Sequence, residues 1–319
     1  RIGVKPEKII WNGPYKNYKK VEELLLTGGT VNLDSVYEID KIKDISKRNP
    51  EHTLNIGLRV NFDIGDGVIS RFGFDIESED FKKALRLVKE TPNINLIGVQ
   101  CHFATRSLDT WKPRAERMLK LLDGLNLNPS HIDLGGGLFG KMDESLKKQF
   151  DTDIPAYDDY AAAVAVLFAE HYKNKADKPL LLIEPGSALV GDCMQFASCV
   201  VNIKDVRGKA IATLLGSIYN INPTLNKKNP PIKVYAMGAK QTNYTDLDFG
   251  GFTCIESDYL YRHFNGKLAQ GDIVVFGNVG SYSVVLKPPF ILPNFPIIEL
   301  RGNGAELIKR GEVFDDLFH

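Results

Sequence analysis

The stretch "HIDLGGGLFGKM", His131–Met142, is a short apolar run that leads into three consecutive glycines. Such a run is typical of a buried β-strand that ends in a tight turn. Gly135, Gly140 and Lys141 also match most of the nucleotide P-loop pattern, but Met142 stands where that loop needs a hydroxyl for magnesium. The stretch alone leaves three interpretations open: a nucleotide loop, another phosphate site, or a turn that binds nothing.

Apolar, β-branched runs of the same kind recur in the first half of the chain and alternate with stretches of helical spacing. The predicted strands are Ile9–Asn12, Thr30–Asp34, Leu54–Asn61, Leu96–Phe103, His131–Leu134 and Leu180–Glu184. The predicted helices are Tyr18–Leu26, Val36–Arg48, Ser78–Glu90, Arg114–Leu125 and Asp158–Tyr172. This alternation predicts βαβ units and a parallel sheet. The continuous apolar runs "LIGVQCHF" and "LLLIEPG" predict strands that are buried on both faces.

The second half of the chain has a different sequence pattern. After about Asn202, runs such as "IATLLGSIY", "IKVYAMGA" and "GDIVVFGNVGSYSVVL" are typical of strands punctuated by Gly, Pro and Asn. We therefore predict two domains, residues 1–201 and residues 202–319, the second a β-sandwich or β-barrel. The first domain shows roughly six parallel strands, whereas a closed (β/α)8 barrel needs eight. Either the chain lacks the first strands of a barrel, as the absence of a methionine at Arg1 also suggests, or the sheet is open and doubly wound.

Composition excludes several classes of partner. The 40 basic and 40 acidic residues cancel, so charge favours neither nucleic acid nor an anionic membrane as a partner. No apolar run approaches the roughly 20 residues of a membrane span, and no signal peptide is visible. The four cysteines, at positions 101, 193, 199 and 254, form no CxxC pair. We expect a cytoplasmic protein without disulfides or a bound metal.

Candidate functional residues follow the predicted strands, at the edge where parallel barrels carry their chemistry. His102 ends "GVQCHF", the glycines follow "HIDL", Glu184 ends "LLLIE", and "SRFGFD" follows the strand that contains Arg59. Each signal is weak by itself, because a buried histidine or a glycine turn is common without a function. Together, an anion-binding glycine turn, an imidazole that can stack and a carboxylate that can hold a ring nitrogen protonated describe a pyridoxal phosphate site.

At these residues the chain resembles the fold-type III pyridoxal-phosphate-dependent decarboxylases, which include diaminopimelate, ornithine and arginine decarboxylases. The matching motifs, which occur in the family's order over essentially the whole chain, are "NGPYK", "SRFGF", "VQCHFAT", "IDLGGGLFG", "IEPGSALV", C-x-x-x-D at Cys254–Asp258 and "GSY" ending at Tyr282. The resemblance implies an alanine-racemase-like (β/α)8 TIM barrel whose first strands are missing, followed by a mostly β domain. It also replaces the P-loop interpretation, because the glycines match the family's phosphate loop.

The resemblance implies a role for each matching residue. His102 would stack on the ring of pyridoxal 5'-phosphate, and Glu184 would pair with its pyridine nitrogen. Cys254 would return a proton to the substrate after carbon dioxide leaves, at the neighbouring subunit's site in a head-to-tail homodimer. The residues that would hold the phosphate are Thr105, Gly135, Gly136, Gly137 and Tyr282.

Three departures from the family pattern bear on function. The family's Schiff-base lysine motif is absent, so we expect that the segment carrying it precedes this chain. Ser187 replaces the arginine that usually follows Glu-Pro-Gly, and Arg106 is the candidate to supply that charge. Ile255 stands where an acidic residue often follows the cysteine. If the segment is a strand, Glu256 points to the opposite side.

The third departure, Ile255 after Cys254, disfavours a simple diamine-forming substrate such as ornithine. We predict an amino-acid α-decarboxylase that acts on a diaminopimelate-like or modified amino acid, as in siderophore or other secondary metabolism, with Arg106 and Asp258 contacting the substrate. Three alternatives stay open: a racemase on the same fold, a non-catalytic homologue that regulates a related enzyme, and a phosphosugar barrel enzyme.

Overall fold

The computed structural model describes residues 2–224 and 226–318, and the chain divides into two compact units. The first unit comprises Arg1–Phe139 and Ile154–Pro185, and the second comprises Gly140–Asp153 and Gly186–His319. The predicted domain boundary between residues 201 and 202 stays a prediction. The first residue of the first predicted domain, Arg1, and the last residue of the second, His319, lie outside the described residues.

The elements alternate along the first unit as predicted. The strands of the chain are β1 (Ile10–Trp11), β2 (Thr30–Leu33), β3 (Leu54–Asn61), β4 (Phe74–Asp75), β5 (Ile94–Phe103), β6 (His131–Gly136), β7 (Leu180–Ile183), β8 (Phe196–Val206), β9 (Lys209–Leu214), β10 (Ile232–Tyr235), β11 (Thr242–Gly250), β12 (Tyr259–Leu268), β13 (Ile273–Phe276), β14 (Ile297–Arg301) and β15 (Gly304–Lys309). The α-helices are α1 (Tyr18–Leu26), α2 (Val36–Arg48), α3 (Glu79–Glu90), α4 (Trp111–Gly124), α5 (Glu144–Lys147), α6 (Tyr157–Tyr172), α7 (Ser187–Val190), α8 (Ile218–Ile221) and α9 (Ser283–Leu286). The two-residue strand β4 was not predicted, because it is too short to show a periodicity.

Strand order decides the architecture of the first unit. The strands lie in the order β1-β2-β3-β5-β6-β7, with β4 paired to β3, and every pair is parallel. A doubly wound sheet reverses its strand order at a switch point. Here, apart from the two-residue β4, the strands lie side by side in the order of the sequence. The unit is therefore the wall of a (β/α) barrel, and the doubly wound alternative is excluded.

Helices cover this sheet through apolar stripes. In α3 the buried residues Phe81, Ala84 and Leu87 recur at helical spacing, and the Ser78 hydroxyl caps the helix by accepting a hydrogen bond from the Phe81 N–H at 3.1 Å. The prediction that the strand of "LLLIEPG" is buried on both faces is wrong for β7. Leu180 and Ile183 are 63% and 52% exposed, because among the described strands β7 has a neighbour on one side only.

The second unit is mostly β, as predicted. Its main sheet has the order β10-β13-β8-β9-β11-β12, and β14 pairs with β15. Its core includes Val200, Phe249 and Phe276, and the rings of the two phenylalanines pack edge to face. None of the described helices has both the length and the apolarity that crossing a membrane requires.

The run "GDIVVFGNVGSYSVVL" is not one strand. Strand β13 ends at Phe276, and Ser283–Leu286 form the short helix α9. Tyr282 has a left-handed backbone with φ of 63°, which an extended strand cannot accommodate.

Candidate active site

Two predicted site residues meet at the carboxyl edge of the parallel sheet. His102 lies near the end of β5 and Glu184 follows β7, and Nδ1 of His102 is 2.7 Å from Oε2 of Glu184. A Cβ atom on Gly135 would lie 2.4 Å from that carboxylate oxygen and 2.7 Å from Nδ1 of His102. Only glycine at position 135 therefore lets the imidazole and the carboxylate meet here.

The other oxygen of Glu184 ends a chain of amides. Oε1 accepts a hydrogen bond from Nδ2 of Asn12 at 2.7 Å, and Oδ1 of Asn12 accepts one from Nδ2 of Asn32 at 2.5 Å. Asn12 follows β1 and Asn32 lies in β2, so residues from opposite ends of the strand order orient one carboxylate. Burial would raise the pKa of Glu184, but its hydrogen bond to His102 and the charge of that residue outweigh burial and hold this pKa below its usual range.

A second carboxyl group adjoins Glu184. Asp133 lies in β6 and is 3% exposed. Burial, the charge of Glu184 and a hydrogen bond shared with Glu184 raise the pKa of Asp133 to about 7. Repulsion between two adjacent carboxylates opposes the ionisation of both, so the proton resides on Asp133 when Glu184 is charged. The buried Arg59, paired with Asp34 at 3.2 Å, lowers the pKa values of both carboxyl groups.

The glycine turn is a cradle that side chains would fill. Gly136 has φ of 130°, and a Cβ there would lie 2.1 Å from the carbonyl oxygen of Phe103. A Cβ on Gly137 would lie 2.6 Å from Cγ of Arg106. Protein atoms pack closely against these positions, so the turn requires glycine, the residue type that anion-binding loops also use.

Residues after β5 surround this turn. The Thr105 hydroxyl donates a hydrogen bond to Oδ2 of Asp66 at 2.5 Å. The Arg106 guanidinium lies 5.9 Å from the ring centre of Phe139, and among the described residues no carboxylate oxygen lies within 4.0 Å of its nitrogens. The carbonyl of Arg106 accepts a hydrogen bond from the Tyr160 hydroxyl at 2.6 Å. Arg106 is thus a half-buried cation without an acidic partner in the described part of the chain.

Lys16, the lysine of "NGPYK", is a structural residue. Its ammonium group is buried and donates to Oε1 of Glu38 at 2.7 Å and to the carbonyl of Gly13 at 2.6 Å. A buried ion pair of this kind fixes the position of the lysine head group. Lys16 therefore does not offer a free amine.

The second unit holds Cys254 in a turn between β11 and β12. The prediction that strand alternation separates Ile255 from Glu256 is wrong, because neither residue lies in a strand. The buried Asp258 stabilises this turn: Oδ2 accepts from the N–H and hydroxyl of Thr253, at 3.2 and 2.6 Å. Its Oδ1 accepts from the Ser217 hydroxyl at 3.0 Å and the Ile218 N–H at 2.8 Å.

Cys254 itself is exposed, so its thiol is available for chemistry. The predicted contact between Asp258 and substrate stays a prediction. Tyr282 is 50% exposed and immediately precedes α9, and it too lies in the second unit.

One cluster in the second unit has metal-ligand chemistry. Asp246, Asp248 and His263 bring one ligand atom each within 4.8 Å of one another. Lys209 pairs with both carboxylates at 2.8 and 3.1 Å, and Arg262 pairs with Asp248 at 3.0 Å. These cations already neutralise the acids, so the cluster is an ion-pair network.

The first unit fits pyridoxal phosphate by its donor set. It combines a cradle without side chains, a half-buried imidazole and a carboxylate that is held ionised. The family profile described as "Pyridoxal-dependent decarboxylase, pyridoxal binding domain" matches residues 1–191, more than half of the chain. The chain belongs to the pyridoxal-dependent decarboxylases. It is an amino-acid decarboxylase that uses pyridoxal phosphate.

Relatives of this decarboxylase extend the match along the chain. It is 26% identical to the diaminopimelate decarboxylase of Methanocaldococcus jannaschii, over 98% of this chain and 73% of the relative. It is also 26% identical to the enzyme of that name from Neisseria meningitidis serogroup A, over 97% of this chain and 76% of the relative.

Solved structures show the same fold. The M. jannaschii diaminopimelate decarboxylase superposes with a TM-score of 0.83 at 22% identity, covering 98% of this chain and 74% of that one. The arginine decarboxylase of Paramecium bursaria Chlorella virus gives 0.71 at 20% identity, covering 91% and 76%. The barrel and the mostly β unit of this decarboxylase are thus those of the family.

The structure brings the predicted residues His102, Glu184 and Gly135 into contact, and it adds polar residues that the sequence analysis missed. These are Asn12, Asn32, Asp133 and Arg114. Two signals could have found some of them: Asp133 is a charged residue inside the apolar run "HIDL", and Arg114 lies in the apolar stripe of α4 with Trp111, Ala115 and Met118.

Proposed function

We propose that this decarboxylase removes the α-carboxylate of an amino acid whose far end carries a second carboxylate, either diaminopimelate or a modified amino acid of that kind. The observation that carries the proposal is Arg106: a half-buried guanidinium beside the glycine turn with no carboxylate partner among the described residues. A cation placed in this way suits a carboxylate ligand. The names of the relatives support the same substrate class.

Ile255 also supports a substrate whose far end carries a carboxylate. The residue after Cys254 is apolar, so this position offers no charge to a distal ammonium group. A substrate such as ornithine, whose far end is only cationic, would leave Arg106 facing a like charge. Electrostatic repulsion then selects against it.

We assign the first unit's residues as follows. The N–H groups of Gly135, Gly136 and Gly137 and the hydroxyl of Thr105 bind the cofactor phosphate. When bound, pyridoxal phosphate supplies a ring that accepts the electrons left on the α-carbon as carbon dioxide departs. Glu184, held ionised, keeps the pyridine nitrogen protonated, and His102 packs on the ring face.

Asn12 and Asp133 keep the Glu184 carboxylate oriented and ionised. Asn12 holds Oε1 in place at 2.7 Å. Because the pKa of Asp133 is raised to about 7 while that of Glu184 is lowered, Asp133 competes less strongly than Glu184 for the positive charge of the ring. The carboxylate that faces the cofactor is therefore the one with the lower pKa.

For the second unit we propose that Tyr282 binds the phosphate and that Cys254 donates its thiol proton to the α-carbon as a general acid. The family resemblance supports a head-to-tail homodimer in which Cys254 serves the neighbouring subunit. The uncombined thiols support a cytoplasmic location.

The test measures carbon dioxide release by the full-length protein loaded with pyridoxal phosphate. The substrates are diaminopimelate, lysine, ornithine and arginine, each with wild type and with Arg106→Ala. We expect turnover of diaminopimelate, and a KM raised about tenfold or more in Arg106→Ala. An unchanged KM would remove the role of Arg106, and preferred turnover of ornithine would refute the substrate class.

The same samples distinguish the alternatives. A racemase would exchange the α-hydrogen with solvent deuterium and invert the amino acid without releasing carbon dioxide. A non-catalytic homologue would bind the cofactor and show neither reaction. Either outcome would replace the proposed reaction.

A further inference from the structure

Arg114 is a fully buried cation next to the glycine turn. It lies in α4 with no exposed surface. Its guanidinium donates hydrogen bonds to the carbonyl of Thr105, to the Thr110 hydroxyl at 3.2 Å and to the carbonyl of Gly135 at 3.4 Å. Each of these acceptors is neutral.

No acidic group in the described part of the chain neutralises this charge directly. Among the described residues, no carboxylate oxygen lies within 4.0 Å of the guanidinium nitrogens, and Nε is buried without a hydrogen-bond partner. Asp66 is the acid that acts on Arg114 from further away. Its Oδ2 accepts the hydrogen bond of the Thr105 hydroxyl.

The surroundings compensate the charge only in part. The guanidinium carbon lies 4.4 Å from the ring centre of Trp111 and 5.6 Å from that of Phe103, where cation–π attraction is favourable. Burial lowers the pKa of Arg114 to about 10, so the group is still charged at neutral pH. Burying a charge without an ionic partner costs free energy. Packing and hydrogen bonds to carbonyl groups alone do not explain why a charged arginine occupies this position.

Arg114 touches both segments that we propose bind phosphate. One hydrogen bond reaches the carbonyl of Thr105 and another reaches that of Gly135. A Cβ on Gly136 would lie 2.6 Å from NH1 of Arg114. The glycine at 136 is therefore required for the approach of the guanidinium as well as for the backbone.

We propose that Arg114 is the buried countercharge for the cofactor phosphate, acting through the glycine turn and Thr105 without touching the phosphate. The inference rests on the proposed function of Gly135, Gly136 and Gly137 as the phosphate loop. A phosphate dianion would add negative charge near Arg114, on which Asp66 acts only from beyond ion-pair distance. The fixed cation favours phosphate over a neutral group at the same place. Arg114 is thus a positioning residue that discriminates by charge.

The experiment measures dissociation constants by equilibrium dialysis of the full-length apoprotein with pyridoxal phosphate and with pyridoxal, which lacks the phosphate. The variant is Arg114→Met, which keeps length and removes charge. We expect the preference for pyridoxal phosphate over pyridoxal to fall about tenfold or more. Lys112→Met is the matched control, because Lys112 lies in the same helix with 61% of its side chain exposed, and we expect it to keep the wild-type preference.

An unchanged preference in Arg114→Met would overturn the proposal. If that variant does not fold, Arg114→Lys and Arg114→Gln decide instead. The lysine variant should retain the preference and the glutamine variant should lose it, and equal preferences would overturn the proposal. A wild-type protein that binds pyridoxal as tightly as pyridoxal phosphate would instead refute the phosphate loop itself.

Discussion

Nδ1 of His102 lies 2.7 Å from Oε2 of Glu184, although 82 positions separate the two residues in the chain. They end different strands of one parallel sheet, and Gly135 on the strand between them leaves the space in which they meet. The pair joins a group that can pack on a ring to a group that can hold the ring nitrogen protonated. The cofactor chemistry that we propose depends on this contact.

The first prediction concerns the charge of Glu184. In Glu184→Gln, kcat should fall on the order of 100-fold or more, because a neutral amide cannot hold the ring nitrogen protonated. Binding of pyridoxal phosphate should weaken much less, since the phosphate loop is intact. The measurements are steady-state carbon dioxide release and cofactor titration.

Asn12→Ala is the matched comparison for Glu184→Gln. It removes the 2.7 Å hydrogen bond to Glu184 and the 2.5 Å hydrogen bond from Asn32. The carboxylate of Glu184 stays, so we expect a loss in kcat of about tenfold or less. Equal losses in the two variants would argue that geometry, and not charge, is what Glu184 contributes.

The second prediction concerns Asp133 and pH. The pKa of Asp133 is about 7 in the folded protein, well above its ordinary value of 3.8. The folded state therefore binds this proton more tightly, and the resulting stability is complete below about pH 4 and is lost as the pH rises through 7. In Asp133→Asn this loss should disappear, so the free energy of unfolding of the variant relative to wild type should rise between pH 4 and pH 8.

Urea unfolding of the apoprotein at pH 5 and at pH 8 measures this difference. At about 1.4 kcal/mol for each pH unit between pH 5 and the pKa of about 7, it amounts to about 3 kcal/mol at most. Asp177→Asn is the control, because Asp177 is exposed and should show no such pH dependence. A relative stability that falls with pH would contradict the assignment of the proton to Asp133.

The third prediction separates two glycines of the phosphate loop. Gly136→Ala places a Cβ 2.1 Å from a backbone oxygen at φ of 130°, so we expect a loss of about 3 kcal/mol or more in unfolding free energy. Gly137→Ala meets mainly the flexible Arg106 side chain at 2.6 Å. That variant should fold and should bind pyridoxal phosphate more weakly.

Gly67→Ala is the control for backbone strain. Gly67 has φ of 70°, and no described atom beyond its chain neighbours lies within 4 Å of the position that a Cβ would take, so we expect a loss of only about 1 kcal/mol. Chemical denaturation and cofactor titration of the three variants provide the comparison. A Gly137→Ala protein with wild-type cofactor affinity would count against the loop as the phosphate site.

The fourth prediction concerns the exposed thiols. Cys254→Ser should lower kcat by about 100-fold or more, because a hydroxyl is a much weaker general acid. Cys193→Ser removes another exposed thiol of the second unit and should leave kcat unchanged. Similar activity in both variants would rule out Cys254 as the acid.

Asp258→Asn tests the support of the Cys254 turn. It weakens charge-assisted bonds to Thr253 and Ser217, so we expect a loss of about 1–3 kcal/mol in unfolding free energy. The rate at which iodoacetamide alkylates Cys254 should also change, with Cys193 as the internal reference. A variant with wild-type stability and alkylation rate would show that Asp258 does not hold the turn.

The local pattern of apolar residues was sufficient to predict much of the secondary structure. Strand β3 and helices α1 and α2 have the bounds that apolar periodicity predicts, because periodicity records which face of an element is buried. It failed for β7, whose exposure depends on how many neighbours the strand has in the sheet. It also failed for the run that contains Tyr282, because β13 already ends at Phe276 and the left-handed Tyr282 precedes a short helix.

The amino-acid order was enough to predict the family, the barrel followed by a β unit, and the glycine turn with His102 and Glu184 near it. Strand ends, glycines and ordered motifs are properties of short segments, so they are visible without coordinates. Three properties depend on how the chain folds: the raised pKa of Asp133, the hydrogen bond from Asn12 to Glu184 across 172 positions, and the burial of Arg114 without an acidic partner among the described residues. These properties arise from desolvation and from distances between remote residues, and no local pattern contains either quantity.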